Sequence, residues 1–222
     1  MYLLFYPIFS VDLIRLIRQT PSAVKSLKVD NQRLRYLDQD EVQTLLEQAK
    51  ENEQVYTCIL LALNTGARIG ALAQITPRDI NFETKRISTI DEKNDERYPT
   101  FICNEELEKV LRSRCRNRKK DTPILQENNA KLYDQIKDKV NNILTKLFND
   151  GVTDSKYRVV PHTLRHTFAS HLAINGTPIY TIKKLMNHKD INMTLRYAKL
   201  APEVGMDAVA NLYHNLNSLE DS

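Results

Sequence analysis

The stretch PHTLRHTFASHLAINGT, residues 161–177, carries three of the five histidines of the chain. His162 and His166 stand four residues apart, and Arg165 lies between them. Two imidazoles one helical turn apart can bind a metal ion or move protons. A guanidinium is permanently charged, and its planar fork of N–H donors matches two phosphate oxygens. These residue types therefore leave three interpretations: a metal site, a packed helix or a site that handles phosphate.

A zinc site of the common helical type is disfavoured by the residue beside the first histidine, which leaves a metal hydrolase as a distant third possibility. Such sites follow an HExxH pattern, in which the glutamate acts as general base. This sequence reads HTLRH and has Thr163 at that position. Arg165 would in addition hold a fixed positive charge next to the metal ion. The sequence therefore predicts no metal centre here.

Packing accounts for one face of this helix only. At about 100° per residue, four side chains share the face that we expect to turn to the core: Leu164, Phe168, His171 and Leu172. His171 is then expected to be buried and hydrogen-bonded. The other face carries His162, Arg165, His166 and Ala169. Of these, His162 and Arg165 can hold a phosphate and exchange a proton near neutral pH. This second face is predicted to handle phosphate.

Three further residues can serve the same chemistry from other parts of the chain. Arg68 follows the Gly66 turn at the end of an apolar segment. His188 stands 23 residues after Arg165, and Tyr197 follows nine residues later. Taken alone, the first arginine could cap a helix and the tyrosine could pack in the core. The ordered set favours a functional interpretation.

In this order the motifs resemble those of the tyrosine recombinase, or phage integrase, family. The segments that carry the resemblance are TGARIGAL (65–72), EKN (92–94), HTLRHTFASHL (162–172) and MNHKDINMTLRYAKL (186–200). The specific feature is the order R…K…HxxR…H…Y with nine residues from the last histidine to the tyrosine. The resemblance covers about residues 38–216, nearly the whole chain apart from its N-terminus.

The resemblance implies a fold and an activity. The fold is a mostly α-helical α+β catalytic domain with a small antiparallel β-sheet. The activity is site-specific recombination or integration, in which DNA strands are cleaved and rejoined through a 3′-phosphotyrosyl intermediate without a metal or any other cofactor. Two alternatives stay open: a non-catalytic DNA-binding remnant of an integrase, and strand nicking and rejoining like that of a type IB topoisomerase.

The resemblance also assigns roles at the reacting phosphate. Arg68 and Arg165 would stabilise the negative charge that builds up on the non-bridging oxygens, and His188 would be a further donor. Tyr197 would be the nucleophile. Because the covalent link keeps the energy of the phosphate bond, rejoining needs no nucleotide.

Two proton transfers need further residues. A phenol has a pKa of about 10, so Tyr197 needs a base, and His162 is the candidate. The leaving 5′ oxygen needs an acid, and Lys93 in the turn of a predicted hairpin is the candidate. Lys85, at the very start of the first strand of that hairpin, is the second choice.

At two positions the chain departs from the family pattern. The family often has an acidic residue three positions after the first arginine, where this chain has Ala71. That acid is expected to support Arg68. The family usually has glycine before the last histidine, where this chain has Asn187, a residue that tolerates left-handed backbone.

A run of basic residues suggests a second contact with DNA. The formal net charge of the chain is +4. Much of the positive charge is concentrated in RSRCRNRKK, which contains Arg112, Arg114, Arg116, Arg118, Lys119 and Lys120. Such a run can bind phosphates, or it can be a solvated helix end. We predict that it contacts DNA.

The ends of the chain bear on organisation and partners. Residues 1–35 are predicted to be a short segment, either a remnant or a linker, and residues 36–222 the catalytic domain. The segment is too short for the helical clamp domain of the family, which suggests a minimal recombinase, a gene remnant or a shortened chain. The apolar start MYLLFYPIF is too short to span a bilayer, so no membrane partner is expected. Three separated cysteines are typical of a reducing cytoplasm.

The partner implied by the resemblance is a double-stranded recombination site. A monomer is expected in free solution and a tetramer on DNA, joined by exchange of a C-terminal helix that begins near Pro202. Elsewhere the sequence predicts helices that begin with a capping box at Asp38 and with a cap at Asn104, together with helices over 55–64 and 132–148. It also predicts a hairpin of strands 85–90 and 97–102, and a helix after 161–176 that is capped by Thr177.

Overall fold

The computed structural model describes residues 35–91, 96–126 and 132–203, together with 205–206 and 209–210. Three of the predictions concern residues that lie outside these described ranges. They are the N-terminal segment, the hairpin residue Lys93 and most of the C-terminal helix. The domain boundary at residue 35 therefore stays a prediction.

Helices dominate the described residues, and one small sheet accompanies them. The helices are α1 (Gln39–Ala49), α2 (Glu53–Thr65), α3 (Ile69–Ala73), α4 (Glu105–Cys115), α5 (Leu132–Phe148), α6 (Pro161–Ile174), α7 (Ile179–Leu185) and α8 (Asn192–Leu195). Short 3₁₀ turns lie at Pro77–Asp79, Ser155–Tyr157 and Ala198–Leu200. The strands are β1 (Ile80–Asn81), β2 (Arg86–Ile90) and β3 (Arg97–Phe101). The predicted fold class, mostly helical α+β with a small antiparallel sheet, is confirmed.

Local hydrogen bonds at the helix ends explain where the helices begin. The Asp38 side chain accepts a bond from the Glu41 N–H at 2.8 Å, and the Glu41 carboxylate accepts one from the Asp38 N–H at 3.0 Å. This reciprocal pair is the predicted capping box. Asn104 caps α4 as predicted, because its side-chain oxygen accepts from the Leu107 N–H at 3.0 Å.

The predicted cap at Thr177 is wrong. The N-cap of α7 is Pro178, and no side chain caps that helix. The Thr177 N–H instead donates to the Leu172 carbonyl at 2.9 Å, and the Gly176 N–H donates to Ala173 at 2.9 Å. Together with the positive φ of Gly176, these bonds form a Schellman motif at the C-terminus of α6. Thr177 thus closes the preceding helix and does not open the next one.

The sheet has the order β1-β2-β3, and both pairs are antiparallel. The β2–β3 hairpin was predicted, whereas β1 was not, because two residues are too few to show an alternating pattern. Thr89 and Thr100 face inward, and their hydroxyls are 3.1 Å apart. At the base of the hairpin the Asp91 N–H donates to the Glu96 carbonyl at 2.8 Å. This bond fixes the point from which the loop with Lys93 leaves the sheet.

Helix α2 lies at the centre of the main core. It is apolar nearly all round, and it contacts α1, α3, α4, α5, α6 and β3, as its sequence predicts. Helix α6 is tied to the entry of α1, because His171 donates from Nε2 to the Leu37 carbonyl at 2.8 Å. His171 is half-buried and hydrogen-bonded, close to its prediction. In the described part of the chain, no helix has the length and apolarity needed to cross a membrane.

A second, smaller apolar cluster joins α6, α7 and the turn after α8. Its buried members are Ala169, Ala173, Ile182, Met186 and Tyr197. Gly66, which ends α2 with a φ of +64°, lies against this cluster. A Cβ at this glycine would lie 2.3 Å from Phe168 Cδ1 and 3.1 Å from Met186 Sδ. The close approach of α2 to α6 and α7 therefore requires glycine at this turn.

We predict that Gly66→Ala lowers the free energy of unfolding by about 1–3 kcal/mol more than Gly151→Ala, because only the first change overpacks a core. Gly151 is the matched control, since its φ is also positive at +69° while no atom lies within 4 Å of its Cβ. Urea unfolding of both variants measures the difference. Equal losses would show that Phe168 moves aside without a penalty, and the close approach would then not explain the glycine.

Candidate active site

A buried guanidinium from α6 lies at the centre of the site. Arg165 is only 2% exposed. It donates to the Gly66 carbonyl at the end of α2, at 2.5 Å, and to the Met186 carbonyl at the end of α7. Burial, followed by the charge of nearby Arg68, lowers the pKa of Arg165 to about 10, so it stays charged at neutral pH. One side chain therefore joins three helices and brings a permanent charge to their meeting point.

Arg68 comes from the short link between α2 and α3. Its backbone is extended and takes the N-cap position of α3, but its side chain makes no capping bond. The capping alternative for this side chain is therefore wrong. A pocket of about 300 Å³ opens here, and its lining includes Arg68, Lys137, His162 and Arg165. Lys137 was not predicted, since one lysine on the polar face of a long helix carries no signal of function.

His188 lies in the turn after α7, where it was predicted. It is buried, and its Nδ1 is 2.9 Å from the Thr194 hydroxyl in α8. Burial, followed by the charges of Arg165 and Arg68, lowers the pKa of His188 to about 3. The imidazole is therefore neutral near pH 7, and Thr194 fixes the direction of its ring.

Tyr197 is buried in the second apolar cluster. Its side chain is 1% exposed, and its hydroxyl is 2.7 Å from His166 Nδ1. Burial raises the pKa of Tyr197 to about 12, against the opposing charges of Arg165 and Arg196. Burial, followed by His162 and Arg196, lowers the pKa of His166 to about 3. Both groups are thus neutral near pH 7, so the phenol donates and the imidazole accepts.

His166 is the main residue that sequence reasoning missed. It was placed on the same face as His162 and Arg165, but it received no role. His162, the predicted base, packs its ring edge-to-face on the His166 ring at a centroid distance of 4.7 Å. Partial burial, followed by the charges of Arg165 and Arg68, lowers the pKa of His162. No sequence signal joins His166 to a tyrosine 31 residues further on.

Asp91 is a second residue that was missed. One of its carboxylate oxygens lies 3.9 Å from Arg68 Nη1, and the other accepts a bond from the Asn187 side chain at 2.9 Å. The expected partner position, Ala71, instead lines a small pocket that also includes Arg97. An aspartate just before a polar turn is too common in sequences to be recognised as part of a site.

The structure describes only one of the two lysines that were predicted as proton donors for the leaving group. Lys93 lies outside the described residues, although the base of its hairpin is fixed beside Asp91. Lys85, the second choice, is engaged with Glu108 of α4, since Lys85 Nζ is 3.4 Å from a Glu108 carboxylate oxygen.

Two arginines of the basic run serve the protein itself. Arg114 donates from Nε to the Ile124 carbonyl at 2.9 Å. Arg118 donates from Nη1 to the Pro123 and Gln126 carbonyls at 2.7 and 2.6 Å. Both side chains therefore hold the loop after α4 by their hydrogen bonds. These hydrogen bonds explain the presence of two arginines here without any contact to DNA.

The other four basic residues lie at the surface. Arg112 pairs with Glu108 at 2.7 Å and lies over the Phe82 ring at 4.3 Å from its centroid. Arg116, Lys119 and Lys120 are exposed. The predicted DNA contact of the run is thus best supported at its exposed members and stays a prediction.

Comparison with known proteins identifies relatives of this chain. Residues 35–203 match the family model described as the phage integrase family. The tyrosine recombinase XerA of Saccharolobus solfataricus is 30% identical over 186 residues, which cover 84% of this chain and 58% of that protein. The next two relatives are likewise covered over only 63% and 47% of their lengths.

Solved structures share the fold. The catalytic domain of bacteriophage HP1 integrase matches with a TM-score of 0.61 and 23% identity, over 81% of this chain and 95% of that domain. The Tn1549 transposon integrase, solved in complex with transposon right end DNA, matches with a TM-score of 0.58 and 19% identity, over 86% of this chain and 69% of that one. At these identities the likeness establishes the architecture.

The split within the basic run gives a prediction for DNA binding. Changing Arg116, Lys119 and Lys120 to glutamine should weaken binding to all duplexes alike, and each lost phosphate contact should flatten the salt dependence by about 0.9 in log–log slope. Binding to a random duplex at several salt concentrations measures this slope. Arg118→Gln is the control, and we expect it to lower stability with little change in slope. If the triple variant and the parent show the same salt-dependence slope, these exposed residues do not contact DNA and are only solvated.

The neutral histidines give a prediction for pH dependence. His166 and His188 have folded pKa values of about 3 against an ordinary value of 6.5. The unfolded chain therefore binds more protons below pH 6.5. Stability should be full above that pH and fall as the pH drops from 6.5 towards 3, by about 1.4 kcal/mol per pH unit for each histidine. Urea unfolding between about pH 6.5 and 4.5 measures the slope.

A single substitution isolates the contribution of His166 to the pH dependence of stability. His166→Gln removes one titrating group, so its slope in that window should be smaller by about 1.4 kcal/mol per pH unit. Carboxylates also begin to titrate at the lower end of this window, but they are the same in both proteins, so the difference between the two slopes isolates His166. An unchanged slope would mean that His166 is protonated in the folded protein.

Proposed function

Because the chain belongs to the phage integrase family, we propose that it is a site-specific recombinase that cleaves and rejoins DNA strands through a 3′-phosphotyrosyl intermediate. The observation that carries the proposal is the arrangement around Arg165. Arg68 and Arg165 line one pocket, and the charge of Arg165 acts on the hydroxyl of Tyr197, the proposed nucleophile. The chain spans a little over half the length of its XerA relative, so the activity is proposed for the residues that it contains.

The chemistry at phosphorus follows from the residue types. The Tyr197 oxygen would attack the phosphodiester and form the new P–O bond as the bond to the 5′ oxygen breaks. Negative charge builds up on the non-bridging oxygens in the transition state. Arg68 and Arg165 would stabilise it with their N–H donors, and His188 would add a further donor in a direction fixed by Thr194.

The base in this proposal is His166 in place of His162. Its Nδ1 already accepts the Tyr197 hydroxyl bond at 2.7 Å, so an acceptor for the phenol proton lies beside the tyrosine in the free protein. His162 then supports the neighbouring ring by edge-to-face packing and lines the phosphate pocket. Lys93 stays the proposed acid for the 5′ oxygen.

The substrate itself would activate this base. Among the causes that lower the pKa of His166 are the charges of Arg196 and Arg165. A phosphate bound between Arg68 and Arg165 brings negative charge that offsets these cations, and so raises the pKa of the neighbouring imidazoles. The imidazole is then a stronger proton acceptor when DNA is bound than in the free protein, which would limit stray reaction of the tyrosine.

The nucleophile is withheld in this structure. Tyr197 is 1% exposed, and it does not line the pocket that the described residues form around Arg68 and Arg165. It must leave the small apolar cluster to reach a phosphate. We propose that assembly of a tetramer on DNA drives this release, through exchange of the C-terminal helix, while the free protein is a monomer.

Double-stranded DNA is the proposed partner. The Tn1549 integrase, which shares the fold, was solved bound to transposon DNA, and the exposed residues of the basic run suit a phosphate backbone. A DNA-binding remnant would bind the duplex without a covalent adduct. A type IB topoisomerase would form the adduct but would not exchange strands between two duplexes.

The proposal is tested with a nicked suicide duplex built on the sequence that this chain selects from a random pool. The nick lets the cleaved end diffuse away, so an adduct accumulates and migrates slowly on a denaturing gel. Tyr197→Phe should abolish the adduct while its affinity for DNA stays within about twofold, because only one oxygen is removed. His166→Gln should slow adduct formation by about 10²–10⁴-fold, as expected for loss of a general base.

His162→Gln is the matched variant, since it changes the other histidine of the pair. We expect a smaller loss of rate than for His166→Gln. A larger loss of rate in His162→Gln than in His166→Gln would indicate that His162 is the base. An adduct that persists at full yield in Tyr197→Phe would refute the nucleophile, and DNA binding without any adduct would favour the remnant.

A further inference from the structure

A buried carboxylate links the site to a residue at which the chain departs from its family. Asp91 follows β2 and is 4% exposed. Its two oxygens face different partners, Arg68 Nη1 at 3.9 Å and the Asn187 amide at 2.9 Å. A buried carboxylate without partners would be strongly destabilising, so these contacts help to explain why a carboxylate is tolerated in the core.

Asn187 lies in the turn after α7, between two residues that contribute to the candidate active site. The carbonyl of Met186, one residue before it, accepts a bond from Arg165, and His188 follows it directly. The φ of Asn187 is +48°, in the left-handed region that asparagine tolerates better than most residues. Its side chain is therefore aimed at Asp91 from a backbone that other side chains would adopt only with strain.

The carboxylate also offsets a repulsion between the two arginines. The charge of Arg68 is one of the causes that lower the pKa of Arg165, which shows that the two guanidiniums oppose each other. At 3.9 Å the Asp91–Arg68 contact is longer than a hydrogen bond. Asp91 thus supplies a counter-charge and leaves the N–H donors of Arg68 available to a phosphate.

We propose that Asp91 and Asn187 form a positioning pair for Arg68, in place of the acidic residue that the family often has at the position of Ala71. The proposal deepens the proposed function and rests on it for its effect on cleavage. The pair also ties the base of the hairpin, where Asp91 bonds to Glu96, to the turn of His188. Asp91 and Asn187 act through other residues and need not touch DNA.

The position of Arg68 can be measured without DNA. In the ¹⁵N-labelled full chain, the Arg68 Nε–H resonance is assigned with Arg68→Lys and followed by NMR. Asp91→Asn and Asn187→Gly should move it towards the averaged position of an exposed arginine such as Arg116. Asn187→Gly is chosen because glycine keeps the positive φ without strain and removes only the amide, so this variant should fold.

A neighbouring pair supplies the matched control. Asp190 and Asn192 also form an aspartate–asparagine contact, at 3.0 Å, but both side chains are exposed. Asp190→Asn should leave the Arg68 resonance in place. An Arg68 resonance that is unchanged in both Asp91→Asn and Asn187→Gly would overturn the proposal, whatever the outcome of any cleavage assay.

Cleavage of the nicked duplex supplies the functional test. Asp91→Asn and Asn187→Asp should each lower the first-order rate of adduct formation by about 10²-fold, the loss expected when a catalytic group is misplaced by about 1 Å. DNA affinity should change by less than about threefold, since neither residue is proposed to contact DNA. The double variant Asp91→Asn/Asn187→Asp keeps one carboxylate and one amide in exchanged places.

The exchanged pair should recover at least about tenfold of the lost rate, because the buried hydrogen bond is restored. A double variant that is as slow as the product of the two single losses would show that the residues act independently, and would overturn the pair. If the parent protein forms no adduct on this duplex, the proposed function fails, and the Arg68 resonance alone decides the positioning role.

Discussion

The burial of the Arg165 guanidinium is the interaction on which the site depends. Two of its N–H groups are used by carbonyls at the ends of α2 and α7, and these carbonyls have no partner within their own helices. The bond to Gly66 is reached only because glycine lets α2 end against Phe168 and Met186. Removing the arginine would leave buried acceptors unpaired and would separate the segments that carry Arg68 and His188. The structural role of this side chain therefore coincides with the catalytic role that we propose for it.

Burial, together with the positive charge concentrated around Arg165, sets the protonation states of the neighbouring side chains. Three arginines, at positions 68, 165 and 196, act on the histidines of the site, and burial acts in the same direction. The imidazoles are thus neutral and able to accept protons. Tyr197 is held as a neutral phenol by its own burial. A neutral phenol and a neutral imidazole are thus held 2.7 Å apart in the free protein, beside a cluster of positive charge that suits a phosphate as the proposed ligand.

Asp91 and the basic run show how tertiary contacts change the meaning of charged residues. The carboxylate of Asp91 lies beside an arginine and an asparagine that are far from it in the sequence. Arg114 and Arg118, which a count of charges assigns to DNA, bind carbonyls of their own loop. Charge in a sequence indicates that a partner exists, but the partner can be the protein itself.

The sequence by itself determined most of the local structure and the family. The capping box at Asp38, the central helix, the hairpin and the spacing from Arg68 to Tyr197 are all local or ordered patterns, and they were sufficient to identify the fold. It could not show that His166 meets Tyr197, that Asp91 supports Arg68, or that Thr177 closes α6. These facts depend on residues that lie 31, 23 and 5 positions apart and on which surfaces meet. Periodicity fixes the direction in which a side chain leaves its helix, whereas only the packing of helices decides what it contacts.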